Sequence, residues 1–145
     1  MTRFLYDTSV FLYAIGGEHD YRAPCREILA RAEVTDVQGE ASSDLIQEVV
    51  HHRFRRTRDR VRATLEARDV ASLCRLHEVQ PGDVLRALDL YAASERLGSR
   101  DAVFAAVALN RGIPAILSPD RAFDEVAALA RVDPADRHAV DDLFG

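Results

Sequence analysis

The sequence contains no lysine: its 19 lysine-plus-arginine residues are all arginine. Coding bias in a GC-rich genome is the simplest cause, but the absence has chemical consequences. A response-regulator receiver needs a lysine beside its phosphoryl group. A dehalogenase-like phosphatase needs one too, together with an aspartate two residues after its nucleophile, where this chain has Ser9. A P-loop nucleotidase needs Gly-Lys-Ser/Thr, and no glycine-rich phosphate loop is present either. Cysteine is sparse. Cys25 and Cys74 stand at no zinc or redox spacing, and no histidine lies at a ligand offset from either. Both are expected to be reduced, buried thiols of a cytoplasmic protein. Long apolar runs are missing as well, since none approaches the roughly 20 residues a membrane helix requires. The opening Met1-Thr2-Arg3-Phe4-Leu5-Tyr6-Asp7 is too short and too soon charged for a signal peptide.

What is present reads as one soluble domain over residues 1–145, with 48% hydrophobic and 30% charged residues. A chain of this size buries roughly 68–70% of its unfolded surface and needs no disulfide to hold a core. The net charge of −5 argues against a protein that coats nucleic acid non-specifically. It leaves open an enzyme whose site is built from carboxylates.

Apolar runs and helical stripes alternate along the chain. Phe4-Leu5-Tyr6 predicts a buried strand ending at Asp7, after which Thr8 or Ser9 caps a helix that Gly16-Gly17 stops. A helix is expected over Tyr21 to Ala32, a short strand within Val34 to Ala41, and a helix capped by Ser42 or Ser43 that carries Leu45, Ile46, Val49 and Val50. A helix with Leu65, Val70 and Leu73 follows, then a strand over Leu76 to Val79. The next helix is capped by Asp83 and buries Leu85, Leu88, Tyr91 and Ala92. A helix from Asp101 to Gly112, a strand Ile113 to Leu117, a short helix near Asp120 and a last strand near Arg131-Val132 complete the pattern. The acidic tail Asp141-Asp142-Leu143-Phe144 carries two apolar anchors. Strands separated by helices predict an α/β fold with a mainly parallel central sheet flanked by helices.

In such sheets ligands bind beyond the carboxyl ends of the strands, and Asp7 and Asp120 both follow a predicted strand. Glu48 and Asp101 lie on helices able to pack across the same edge. Each acid alone has a structural explanation as a cap, a turn residue or a solvated flank. Gathered together, carboxylates repel and their pKa values rise unless a cation neutralises them. Hard oxygen donors of this kind select Mg²⁺ or Mn²⁺ over zinc. Such ions activate water and clamp a phosphodiester, so the chemistry needs no catalytic histidine, serine or lysine.

Four segments, in order, resemble the motifs of the PIN-domain family and, within it, the VapC toxins. They are Phe4-Leu5-Tyr6-Asp7-Thr8-Ser9, Ser43-Asp44-Leu45-Ile46-Gln47-Glu48-Val49, Leu97-Gly98-Ser99-Arg100-Asp101-Ala102 and Ile116-Leu117-Ser118-Pro119-Asp120-Arg121. The resemblance implies a metal-dependent endoribonuclease, usually dimeric, whose acidic pocket is occluded by an antitoxin protein. It implies that Asp7, Glu48, Asp101 and Asp120 ligate metal, with Ser118 supporting the cluster and Thr8 or Ser9 orienting Asp7. Pro119 is a small departure inside the fourth motif, and Asp124 stands ready to assist or replace Asp120. A catalytically silent, protein-binding PIN-like domain and a housekeeping RNA-processing nuclease are the alternatives.

Residues 53–62, Arg-Phe-Arg-Arg-Thr-Arg-Asp-Arg-Val-Arg, are the one dense basic cluster. At helical spacing Arg53, Arg56 and Arg60 form either a ridge that grips RNA phosphates or a solvated face with Asp59 and Glu66 as partners. Phe54 and Val61 are candidate anchors of that helix. His51-His52 follows Glu48 closely, although the acids suffice without an imidazole ligand.

Overall fold

The computed structural model describes residues 2–145. In chain order the elements are β1 (Phe4–Tyr6), α1 (Thr8–Ile15), α2 (Arg22–Val34), β2 (Glu40–Ser42), α3 (Asp44–Thr57), α4 (Arg60–Leu73), β3 (Arg75–His77), α5 (Pro81–Ala92), α6 (Ser99–Asn110), β4 (Ala115–Leu117), a 3₁₀ turn (Arg121–Glu125), β5 (Ala130–Val132) and α7 (Arg137–Phe144). The strands form one five-stranded sheet in the order β3-β2-β1-β4-β5, and every pairing is parallel. The α/β reading holds, with a sheet that is wholly parallel.

The central strands β1 and β4 pair in register from Phe4 with Ala115 to Tyr6 with Leu117. Both are buried along their whole length, which explains why each reads as a continuous apolar run. The chain winds from β1 toward β3 on one side and returns to β4 and β5 on the other. The order therefore reverses between β1 and β4, the place where open α/β sheets bind ligands. Within the core Tyr6 packs edge-to-face on Phe4 and tilted against Phe11, at centroid distances of 5.1 and 4.8 Å. Helix α6 is buried continuously from Phe104 to Ala108, and its alanines allow close approach to the sheet.

Several local expectations are corrected. Helix α5 begins at Pro81, and Gln80 with Asp83 forms its capping box. The expected stripe of α5 faces solvent: Leu85, Leu88 and Tyr91 are 64%, 59% and 52% exposed. The face that packs on α6 is instead Ala87 and the buried Asp83. The Asp83 carboxylate accepts hydrogen bonds from Arg111 (2.8 Å) and Asn110 (2.7 Å) at the end of α6. Those bonds, with Arg111 foremost, hold its pKa down at about 2. Helix α4 likewise buries Ala63, Ala67 and Val70 and leaves Val61 and Leu65 exposed, so Val61 is no anchor. The second strand starts at Glu40, after Val34 has closed α2 in the open. The tail forms a helix capped by Asp136, with Leu143 buried and the Phe144 ring 5.9 Å from Phe4.

The basic run is not one helix. Arg58 takes a left-handed conformation (φ 56°) that ends α3, and Asp59 caps α4 by accepting from the Arg62 backbone N–H at 3.0 Å. Arg53 and Arg56 therefore lie on α3 and Arg60 on α4, in a helical hairpin. Arg53 is buried and its guanidinium reaches both Glu66 oxygens at 3.2 Å across that hairpin. It is committed to a structural ion pair. Arg60 lies over the Phe54 ring, 5.2 Å from its centroid.

Candidate active site

The carboxyl end of β1 leads straight into α1, with Asp7 as the residue at the junction. Asp7 occupies the N-cap position of α1 in extended conformation but makes no side-chain capping bond, so its carboxylate is left for other partners. Those partners are hydroxyls. Ser118, one residue beyond the neighbouring β4, donates to Asp7 Oδ2 at 2.6 Å, and Ser9 donates to the same oxygen at 2.8 Å. Asp7 is 6% exposed, and its pKa is raised by burial against the opposing pull of the two serines.

Asp120 follows β4 through Pro119. Its backbone N–H donates to Ser118 Oγ at 3.0 Å, so the same serine positions both the first and the fourth acidic residue. Asp120 Oδ1 accepts from the Ala122 N–H at 2.9 Å and caps the 3₁₀ turn. Asp124 lies on that turn and is engaged by Arg131 at 2.9 Å. A 3₁₀ turn does not place residues four apart on one face, which separates the two candidates: Asp120 lines the depression with the other acids and Asp124 does not.

Helix α3 brings Glu48 to the same place. Thr8 Oγ1 donates to Glu48 Oε2 at 2.5 Å, and Arg100 approaches the other oxygen at 3.6 Å. Of the two residues expected to orient Asp7, Ser9 contacts Asp7 and Thr8 contacts Glu48. Asp101 enters from the first turn of α6. Burial, followed by the charges of Asp7, Asp120 and Glu48, pushes the Asp101 carboxyl up to about 7. Three neighbouring negative charges thus act on one carboxyl, with Ser118, Ser9 and Thr8 as the local hydroxyl donors. Among the described residues no three such side chains are drawn tightly enough together to make a preformed metal cage. Like charges keep apart until a cation compensates them, and the donor set, carboxylate oxygen throughout, suits a hard divalent ion.

One open depression is lined by Asp7, Thr8, Ser9, Leu12, Tyr13, Tyr21, Glu48, His52, Asp101, Pro119 and Asp120. It collects all four acids from separate stretches of sequence. It also adds Tyr13 and Tyr21, which sequence reasoning had not assigned to a site, and His52, which it had weighed only as an imidazole ligand beside Glu48. His51, by contrast, borders a separate depression with Phe54 and Arg60. A second depression adjoins the first through Leu12, Tyr13 and His52, and carries His19 and Arg56.

Comparison with known proteins bears on this geometry. The family model described as "PIN domain" matches residues 4–129. The chain is 36% identical over 130 residues to Ribonuclease VapC7 of Mycobacterium tuberculosis, covering 88% of this chain and 89% of that protein. Among solved structures, the crystal structure of the sarcin–ricin-loop-cleaving toxin VapC20 of Mycobacterium tuberculosis aligns with a TM-score of 0.72 at 17% identity, covering 86% of this chain and 95% of that one. A toxin–antitoxin complex from Klebsiella pneumoniae aligns with a TM-score of 0.67 at 16% identity, over 92% and 98% of the two chains. These structural likenesses share the fold; the sequence match to VapC7 and the domain match carry the relationship. With a wholly parallel sheet, acids gathered at its β1–β4 switch point and a domain match from the start of β1 to the residue before β5, this chain belongs to the PIN-domain family, among the VapC ribonucleases.

Proposed function

We propose that the chain is a divalent-metal-dependent endoribonuclease, the toxin of a toxin–antitoxin pair, in which Asp7, Glu48, Asp101 and Asp120 are the catalytic and metal-ligating carboxylates. The observation that carries this reading is the convergence of those acids on one depression, where burial first and then the charges of Asp7, Asp120 and Glu48 raise Asp101 to about 7. A surface used for protein binding alone gains nothing from that repulsion, which disfavours the catalytically silent alternative. Mg²⁺ or Mn²⁺ fits the all-oxygen donor set. When bound, the ion supplies a more acidic water and charge compensation for the phosphodiester.

The chain's own groups do the rest. Ser118 and Ser9 hold Asp7 Oδ2, leaving Oδ1 as the oxygen without a hydroxyl partner. Thr8 holds Glu48 Oε2 toward the same depression. Asp101 gives up its proton near neutral pH, so cation binding and deprotonation are coupled there. Arg56 borders the adjoining depression, where it meets an RNA phosphate. Arg53, spent on Glu66, and Arg60, stacked on Phe54, are left with structural roles.

The partner of this reading is a small antitoxin that inserts an arginine or lysine into the acidic pocket and competes with metal. The exposed apolar row of α5, Val84, Leu85, Leu88 and Tyr91, is surface that a second copy covers in a homodimer. The cytoplasm is the compartment in which such an enzyme meets its RNA. The deciding experiment is induced expression with transcriptome-wide mapping of new 5′ ends, repeated with purified protein in Mg²⁺, in chelator and as Asp7→Asn. New ends that appear only for the unmodified chain in Mg²⁺ bear out the proposal. Identical patterns for Asp7→Asn defeat it.

A further inference from the structure

Three aromatic rings, spread along the acidic depression and the one adjoining it, share one orientation. Tyr13 and His19 stack at 4.2 Å with planes 23° apart, Tyr13 and Tyr21 at 5.5 Å and 26°, and His19 and Tyr21 at 6.0 Å and 20°. Tyr13 comes from the last turn of α1, and His19 and Tyr21 from the loop and first residues before α2. The array is held in place from both ends. Tyr21 Oη donates to Asp133 Oδ2 at 2.9 Å, beside β5, and the Tyr21 backbone N–H donates to His19 Nδ1 at 3.1 Å. The second bond uses the Nδ1 lone pair and so leaves the ring proton on Nε2. His19 is nevertheless exposed.

The placement is as informative as the stacking. Tyr13 and Tyr21 line the depression that holds Asp7, Glu48, Asp101 and Asp120. Tyr13 and His19 line the adjoining one, which holds Arg56. A path from the acids to Arg56 therefore runs past all three rings, and an outer face of the stack is what it can offer a base. Carboxylates with a divalent cation act on one phosphate, an arginine meets a neighbouring phosphate, and between two phosphates a nucleic acid carries a flat base. Aromatic faces are the surface on which single-stranded bases stack, and they accept any base because each has a π-face. A packing role alone accounts for the half-buried Tyr21 and its hydrogen bond to Asp133. It does not account for an exposed His19 held parallel to Tyr13 at the mouth of the site.

We propose that Tyr13, His19 and Tyr21 form a stacking platform for the nucleobase adjoining the phosphate presented to the acids. The proposal rests on the nuclease reading above and names a subsite of it. It assigns the platform to RNA and not to a peptide partner, because the rings bridge the metal-ligating acids and an arginine.

The test uses the full chain carrying Asp101→Asn, in Mg²⁺, with single-stranded RNA 12-mers that hold one 2-aminopurine at each position in turn. Stacking quenches 2-aminopurine emission, so one position should be quenched on binding. His19→Leu and Tyr13→Leu should each weaken binding about 5- to 150-fold and abolish the quench, the range expected for one stacked base. Tyr13→Phe should keep both, since the ring and not the hydroxyl is used. An abasic sugar at the quenched position should weaken the parent by the same factor and cost nothing further in His19→Leu. Affinity and quenching unchanged in His19→Leu, an exposed residue whose loss leaves the core intact, overturn the platform, as does an abasic penalty that persists there in full. If Tyr13→Leu melts early, His19→Leu and the abasic probe decide alone. The unmodified chain is assayed for RNA cleavage in parallel: absence of cleavage and binding strikes at the nuclease reading, whereas intact cleavage with indifferent His19 and Tyr13 variants strikes only the platform.

Discussion

Replacing Asp101 by asparagine should stabilise the protein, and only above a particular pH. Asp101 is raised from an ordinary 3.8 to about 7, first by burial and then by Asp7, Asp120 and Glu48. Between about pH 4 and 7 the folded chain holds a proton there that the unfolded chain has released. Stability therefore falls as pH rises through that window and levels off beyond it. The gap between 3.8 and about 7 corresponds to at most about 4 kcal/mol of penalty by pH 8, reduced by solvent screening because Asp101 is only partly buried. Asparagine escapes the penalty but loses the favourable placement of a negative charge in the first turn of α6, roughly 0.3–1 kcal/mol. A net gain of about 1–3 kcal/mol at pH 8 translates into roughly 4–10 °C in melting temperature for a chain of this size. At pH 4 the two proteins should melt within a few degrees of each other. The assay is thermal unfolding by circular dichroism from pH 4 to 8 in chelator, repeated in Mg²⁺. In Mg²⁺ the original chain should recover much of the difference, because the cation offsets the repulsion that asparagine removes. The same substitution should abolish RNA cleavage. A stability difference that stays flat from pH 4 to 8 would refute the electrostatic account of the site.

If the acids hold a cation only in the folded state, Mg²⁺ at 100 times its dissociation constant should add about 2.7 kcal/mol, and calorimetry of Asp7→Asn should show no such gain. Asp120→Asn should cost far more cleavage activity than Asp124→Asn, since Asp124 pairs with Arg131; the reverse ranking in a single-turnover assay would mean that the 3₁₀ turn rearranges around its substrate. Arg53→Met leaves the partly buried Glu66 with only the exposed Arg62, 3.8 Å away, and should lower stability by about 1–3 kcal/mol in urea unfolding, while Arg56→Gln should stay within about 0.5 kcal/mol; equal effects would remove the structural distinction drawn between these arginines. If the chain dimerises through the exposed face of α5, Leu88→Glu should shift sedimentation from dimer to monomer without changing the melting cooperativity of the chain; a dimer that survives it, or an original chain that sediments as a monomer, removes that role for α5.

Much of this protein is local and so was legible in its sequence. Phe4-Leu5-Tyr6 and Ala115-Ile116-Leu117 are apolar throughout because both faces of the parallel sheet are covered, and a strand of that kind announces itself by composition. The positions of Asp7 and Asp120 just past those strands follow from the same reading. What the periodicity misjudged was which face of a helix turns inward. Leu85, Leu88 and Tyr91 outrank Ala87 and Asp83 in hydrophobicity, yet α6 offers alanines and the Arg111–Asn110 pair, and close packing with satisfied polar groups turned α5 the other way. The run around Arg53, Arg56 and Arg60 looked like one helical ridge until the left-handed Arg58 folded it into a hairpin and Glu66 claimed Arg53. Ser118 was expected beside the acids only through the family resemblance, and other partners distant in sequence were out of reach altogether: Thr8 with Glu48, and the parallel rings of Tyr13, His19 and Tyr21, which straddle Gly16-Gly17 at no regular spacing. Strand identity and the list of acids are properties of short segments, set by hydrophobic burial and residue type. The raised pKa of Asp101, the division of labour among hydroxyls and the aromatic rim depend on distances between segments, and only the packed tertiary structure sets those.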